Sequence, residues 1–116
     1  MTLSTCIKDF LDYLTSEKRF SPHTVLSYQN DLSQFTAYLN KQYGMDDILQ
    51  VTHPIVRSWL VELMEKKYSS ASVNRKLSTL KSLYKFLRKN GIVKKNVMDK
   101  ILSPKKEGTL PEFVDK

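Results

Sequence analysis

SSASVNRKLSTLKSLYKFLRKNG, residues 69 to 91, sets Val73, Leu77, Leu80, Tyr84 and Leu87 at alternating intervals of four and three. At 100° per residue these side chains share one arc of a helix, and a stripe of that kind has to be buried against another element. Serines ahead of the stripe offer caps and Asn90–Gly91 offers a stop, so the spacing predicts a helix over about residues 71 to 90. The opposite arc holds Ala71, Arg75, Ser78, Ser82, Lys85 and Lys89, with Asn74, Lys81 and Arg88 along one edge. Short hydroxyl side chains between long cations let such a face approach a phosphate backbone while the cations reach outward. A solvated helix face ordinarily mixes in acids for i to i+4 pairing, yet from Arg75 to Lys106 there are eleven Lys/Arg and one acid, Asp99. Contact between this helix and DNA is therefore expected.

The same periodicity continues upstream. Leu3, Ile7, Phe10, Leu11 and Leu14 predict a helix over about 3 to 17. Ser21–Pro22 is a start signal, since serine caps free amides and proline at the first helical position loses no needed donor. The helix it opens, about 22 to 42, buries Val25, Tyr28, Leu32, Phe35 and Leu39 and stops at Gly44. Thr52, His53 and Pro54 repeat the signal for a helix over about 53 to 67 with a broad face of Ile55, Val56, Trp59, Leu60, Leu63 and Met64. Val97, Met98, Ile101 and Leu102 suggest a short packing helix that Ser103–Pro104 ends. Neither strand alternation nor a fixed repeat is found. The expected fold is all-α, a compact bundle of about four helices over residues 1–102. Residues 103–116, which include PKKEGTLPEFVDK, read as an exposed linker towards a further domain.

A chain of 116 residues fits one domain. Nineteen basic against twelve acidic residues give a net charge of +7, the balance of a polyanion binder. Residues 1 to 67 carry seven Lys/Arg and eight Asp/Glu, whereas 68 to 116 carry twelve and four, so the excess lies in the carboxy-terminal part. No apolar run approaches the roughly 18 residues of a membrane span, and MTLSTCIKDF has no secretory leader, so a soluble cytoplasmic protein is expected. The single cysteine, Cys6, and the lack of CxxC or HxxxH spacing point to no metal and no cofactor. P-loop, GxSxG and HExxH motifs are absent, so no catalysis by this chain alone is expected.

Within the basic face Arg75 is the strongest candidate for a base or phosphate contact, because its planar fork binds guanine or two phosphate oxygens bidentately. The competing reading is an ion pair with an acid of a neighbouring helix. Asn74 suits adenine or a local backbone partner. Ser78, Lys81, Ser82, Lys85 and Lys89 complete the set on this helix. On the second helix Ser21, His23 and Thr24 surround free amides at the positive end of the helix dipole, where a phosphate oxygen binds. Ser27 and Asn30, with Gln34, extend that end into a polar, uncharged strip. His53 reads as a first-turn residue, Trp59 as core, and Tyr28, Tyr84 and Phe86 as packing groups rather than stacking aromatics. The expected partner is double-stranded DNA, with no membrane and no small-molecule substrate. The alternative is a helical protein-interaction or assembly module whose basic face meets an acidic partner.

Two blocks carry a family resemblance. Ser21, Pro22, His23, Thr24, Ser27, Tyr28, Asp31 and Leu32 resemble the S-P-x-T-x-x-x-Y-x-x-D-L opening of the core-binding domain of tyrosine site-specific recombinases of the Xer and phage-integrase type. Ser70, Val73, Asn74, Arg75, Lys76, Leu77, Ser78, Leu80, Lys81, Leu83, Tyr84, Phe86 and Leu87 look like the family's S-x-x-T-I-N-R-x-L-S-A-L-R-x-F-Y-x-F-L helix. Ser103, Pro104, Lys105, Leu110 and Pro111 resemble its linker into the catalytic domain. The resemblance implies a SAM-like bundle that forms half of a C-shaped clamp around duplex DNA, with the Ser21/Pro22 and Asn74/Arg75 helices facing the major groove. It further implies that DNA cleavage and rejoining for recombination or integration belong to a following domain with its own tyrosine, in a tetramer on two DNA sites. Tyr28 and Tyr84 are not that nucleophile. The sequence departs from the family at Asn96–Val97, where many relatives have Asn–Pro, so a less sharp turn is expected there.

Overall fold

The computed structural model describes residues 2–101, apart from the side chain of Lys100; Leu102 and the expected linker over 103–116 fall outside the described residues. Four helices account for most of it: α1 (Leu3–Ser16), α2 (Pro22–Tyr43), α3 (His53–Glu65) and α4 (Ser70–Lys89), with short 3-10 helices at Ile48–Gln50 and Val97–Lys100. No strand occurs among the described residues; the one extended pairing is an isolated antiparallel bridge between Thr2 and Asp47. The architecture is the expected all-α bundle.

The helix ends follow from local chemistry. Thr2, Ser21 and Ser69 each occupy the cap position of their helix and accept a hydrogen bond from the amide three residues on, at 3.3, 3.2 and 3.1 Å. Pro22 fills the first position of α2, where its missing amide costs nothing. Gly44 ends α2 in the left-handed conformation at φ +59°, which a residue without Cβ reaches without strain, and its amide donates to the Asn40 carbonyl. The third helix stops at Glu65, short of residue 67, because Lys67 itself turns left-handed at φ +65°. At the departure from the family pattern, Asn96 makes the turn with its side chain: Oδ1 accepts from the Met98 amide at 2.9 Å and opens the 3-10 helix at Val97. A proline at that first helical position would need no such help.

One core joins the helices. Leu3, Cys6, Phe10 and Leu14 of α1 meet Leu32, Phe35 and Leu39 of α2, and both pack on the Val73, Leu77, Leu80, Leu83, Tyr84 and Leu87 face of α4. Val56, Trp59 and Leu63 bring α3 to the same core, with Phe35 and Trp59 rings 5.0 Å apart. Val93, Met98 and Ile101 close it from the carboxy-terminal side. The broad apolar face expected for α3 is narrower than its sequence suggests, since Met64 is exposed. Tyr28 and Phe86 pack as expected, both against Phe10, at 6.0 and 5.5 Å between centroids. Burial pushes the Tyr84 phenol and the Cys6 thiol above their ordinary pKa values, so both stay neutral in the core.

Candidate nucleic-acid interface

With α4 packed by its apolar stripe, the remaining arc faces outward. Arg75, Ser78, Lys81, Lys85, Arg88 and Lys89 are exposed, and Asn74 and Ser82 are half-buried along the same face. Lys81, Lys85, Arg88 and Lys89 have no acid partner among the described residues, and no acid lies on α4 at all. Unpaired cations held by a rigid helix attract polyanions at long range and release counterions on contact. Past the end of α4, Arg88 joins Lys94, Lys95 and His53 around an open cleft of about 340 Å³ that contains one acid, Asp99. The cationic surface therefore continues beyond the helix.

Arg75 behaves differently from its neighbours. Its side chain is 59% exposed, yet Nε and Nη2 donate to Oδ2 and Oδ1 of Asp31 at 3.3 and 3.1 Å. Asp31 is only 2% exposed, deep on the α4 side of α2, and Lys76 Nζ, 3% exposed, donates to its Oδ1 at 2.9 Å. Lys76 also donates to Gln34 Oε1 and lies over the Tyr68 ring, 5.2 Å from the centroid. The Thr79 hydroxyl sits 3.2 Å from Asp31 Oδ2 and 3.1 Å from the Arg75 carbonyl. One buried carboxylate thus gathers two cations and a hydroxyl from three positions on α4. The ion pair that competes with DNA contact for Arg75 is present, and it leaves the outer edge of the guanidinium accessible.

On α2, Ser21, His23, Thr24, Ser27 and Asn30 are all exposed. Ser21 serves as the cap and lies 3.0 Å from the Thr24 hydroxyl, so the amino-terminal end of α2 is partly satisfied internally. No hydrogen bond or ion pair joins these five residues to the α4 cations; the direct polar link between the two helices runs through Asp31 and Gln34. His53, at the start of α3, is half-buried. Among the described residues no group of three His, Cys, Asp or Glu is placed to hold a metal ion. No described helix is long and apolar enough to cross a membrane.

Sequence reasoning missed the network around Asp31. Periodicity places Lys76 only at the border of the apolar arc of α4 and gives no sign that Thr79 is buried, yet both are. A lone acid on the inward side of α2 facing a lysine inside the α4 stripe was the available signal.

Comparison with known proteins adds the family. The phage integrase N-terminal SAM-like domain family matches residues 7–91. The chain is similar to the tyrosine recombinase XerC of Listeria innocua, at 42% identity over 91% of this chain and 35% of that protein. XerC of Natranaerobius thermophilus is 39% identical over 91% of this chain and 36% of its own length. XerC of Oceanobacillus iheyensis is 40% identical over 97% of this chain and 36% of its own length. The chain spans about a third of the length of these relatives. No solved structure matches it.

Proposed function

As the chain belongs to the phage integrase N-terminal SAM-like domain family, we propose that it is the part of a tyrosine recombinase that grips duplex DNA, through the exposed face of α4 and the amino-terminal half of α2. The observation that carries this reading is the acid-free outer arc of α4, with four cations that no carboxylate among the described residues neutralises. Lys81, Lys85, Arg88 and Lys89 would supply sequence-independent affinity through phosphates. Arg75 and Asn74 are the groups suited to reading base edges, since bidentate donors distinguish base pairs in the major groove. Ser21, His23, Thr24, Ser27 and Asn30 would add hydrogen bonds along the same groove, and Ser78 and Ser82 would let the α4 backbone come close. In this reading residues 1–102 are the gripping domain and 103–116 lead towards a catalytic domain. Strand cleavage and rejoining would take place there, with four protomers on two DNA sites in the cytoplasm.

A mobility shift on short random-sequence duplexes at low salt tests the reading. Binding below tens of micromolar protein is expected for a face with this many free cations. No shift under those conditions, combined with capture by an acidic polypeptide, would favour a protein-interaction module instead.

A further inference from the structure

We infer that Asp31 is a positioning residue for DNA recognition: its buried carboxylate fixes the direction in which Arg75 is offered, so an acid beneath the DNA-facing surface strengthens binding instead of opposing it. The inference rests on the proposed DNA-binding role of α4. Charge alone points the other way, because a carboxylate close to a phosphate backbone repels it. Here that charge is already matched. Lys76 is as deeply buried as Asp31 and lies 2.9 Å from it, so the two cancel inside the bundle and the charge of Arg75 remains available at the surface.

The geometry supports orientation over simple pairing. Arg75 spends Nε and Nη2 on Asp31, while Nη1 has no acceptor among the described residues and the side chain stays 59% exposed. A guanidinium held by two parallel donors keeps its plane and its outer edge fixed, whereas a free arginine loses rotamer freedom when it binds. The carboxylate is itself buried and anchored at both oxygens, by Lys76 at 2.9 Å and Thr79 at 3.2 Å. Both cations and the hydroxyl come from successive turns of α4, so the hub also locks the rotation of α4 against α2.

A double-mutant cycle on binding to a labelled random-sequence duplex at low salt tests this, with Asp31→Asn, Arg75→Gln and the pair. Positioning predicts that Asp31→Asn weakens binding about fivefold to tenfold when Arg75 is present and leaves binding unchanged or slightly tighter in Arg75→Gln. Equal tightening in both backgrounds would show that Asp31 acts only as a like charge and would overturn the inference. Since Asp31→Asn strands the buried Lys76 ammonium, the cycle is repeated in a Lys76→Met background and helix content is checked by circular dichroism. If the variants do not fold, the unaltered chain decides. Its Arg75 Nε–H resonance should be distinct from free arginine before duplex is added and should shift on addition; a resonance already averaged to the free position contradicts the inference. Should Arg75→Gln have no effect while Lys85→Gln/Lys89→Gln weakens binding, this inference falls and the DNA-binding reading stands. If neither variant affects binding, that reading fails as well.

Discussion

Replacing Asp31 by alanine removes the carboxylate that, among the described residues, compensates the buried Lys76 ammonium. Lys76 would keep Gln34 Oε1 and the Tyr68 ring as neighbours, neither of which carries a negative charge. Arg75 would lose two hydrogen bonds but, being exposed, regains water. The dominant cost is thus an uncompensated buried cation, about 3 to 5 kcal/mol by comparison with other broken buried pairs. Against a total stability on the order of 5 to 15 kcal/mol, that is a large share. For a chain of this size it corresponds to a fall in Tm of roughly 10 to 20 °C. Trp59 is the only tryptophan and is buried, so urea unfolding followed by its fluorescence reports the loss directly. Asp31→Ala/Lys76→Met removes both charges and should recover at least half of the loss, because no buried charge is left without a partner. A cost below about 1 kcal/mol for the single variant, or a double variant no more stable than the single, would refute the idea that the pair is buried and mutually dependent.

Other consequences follow from single contacts. Ser21→Ala removes the acceptor for the Thr24 amide and should cost about 1 kcal/mol in the same urea assay, whereas Ser21→Asp should retain most of the stability. Gly44→Ala meets no steric obstacle but forces a Cβ into the left-handed region, for a loss of about 1 kcal/mol that comes from the backbone alone. The Tyr84 hydroxyl is buried with no hydrogen-bond partner among the described residues, so Tyr84→Phe should be neutral or stabilising by up to about 1 kcal/mol; a clear loss would reveal a further partner. Burial raises the Tyr84 pKa from its ordinary 10.0, so its proton stays on in the folded chain where the unfolded chain releases it. This contribution to stability is whole below pH 10 and is lost as pH rises towards the raised folded value, so alkaline unfolding should be less steep in Tyr84→Phe than in the parent chain.

The bundle was largely legible because its helices announce themselves twice, by stripe and by punctuation. Ser21–Pro22 and Gly44 bound α2 as read, and Val73, Leu77, Leu80, Tyr84 and Leu87 are buried as read. The outer arc of α4 was legible for the same reason, since a residue opposite a buried stripe has nowhere else to point. What periodicity could not supply was pairing between helices distant in sequence. Lys76 and Thr79 lie inside the contact with α2, a fact that depends on how the helices are rotated against each other and on an acid 45 residues away from Lys76. The same limit applies to Met64, which the α3 pattern assigns to the core and the packing leaves outside. The helix wheel could show that Arg75 faces outward and still miss that Asp31 holds it.

The most direct measurement is the salt dependence of duplex binding for the parent chain and for Lys81→Gln/Lys85→Gln/Lys89→Gln. If the exposed cations Lys81, Lys85, Arg88 and Lys89 meet phosphates, log affinity should fall with log salt at a slope of about −3 to −4. The triple variant should flatten the slope by about 3 while its helix content is unchanged. An equal slope in the two proteins, or binding indifferent to salt, would contradict the account, since the outer face of α4 would then not be where DNA lies.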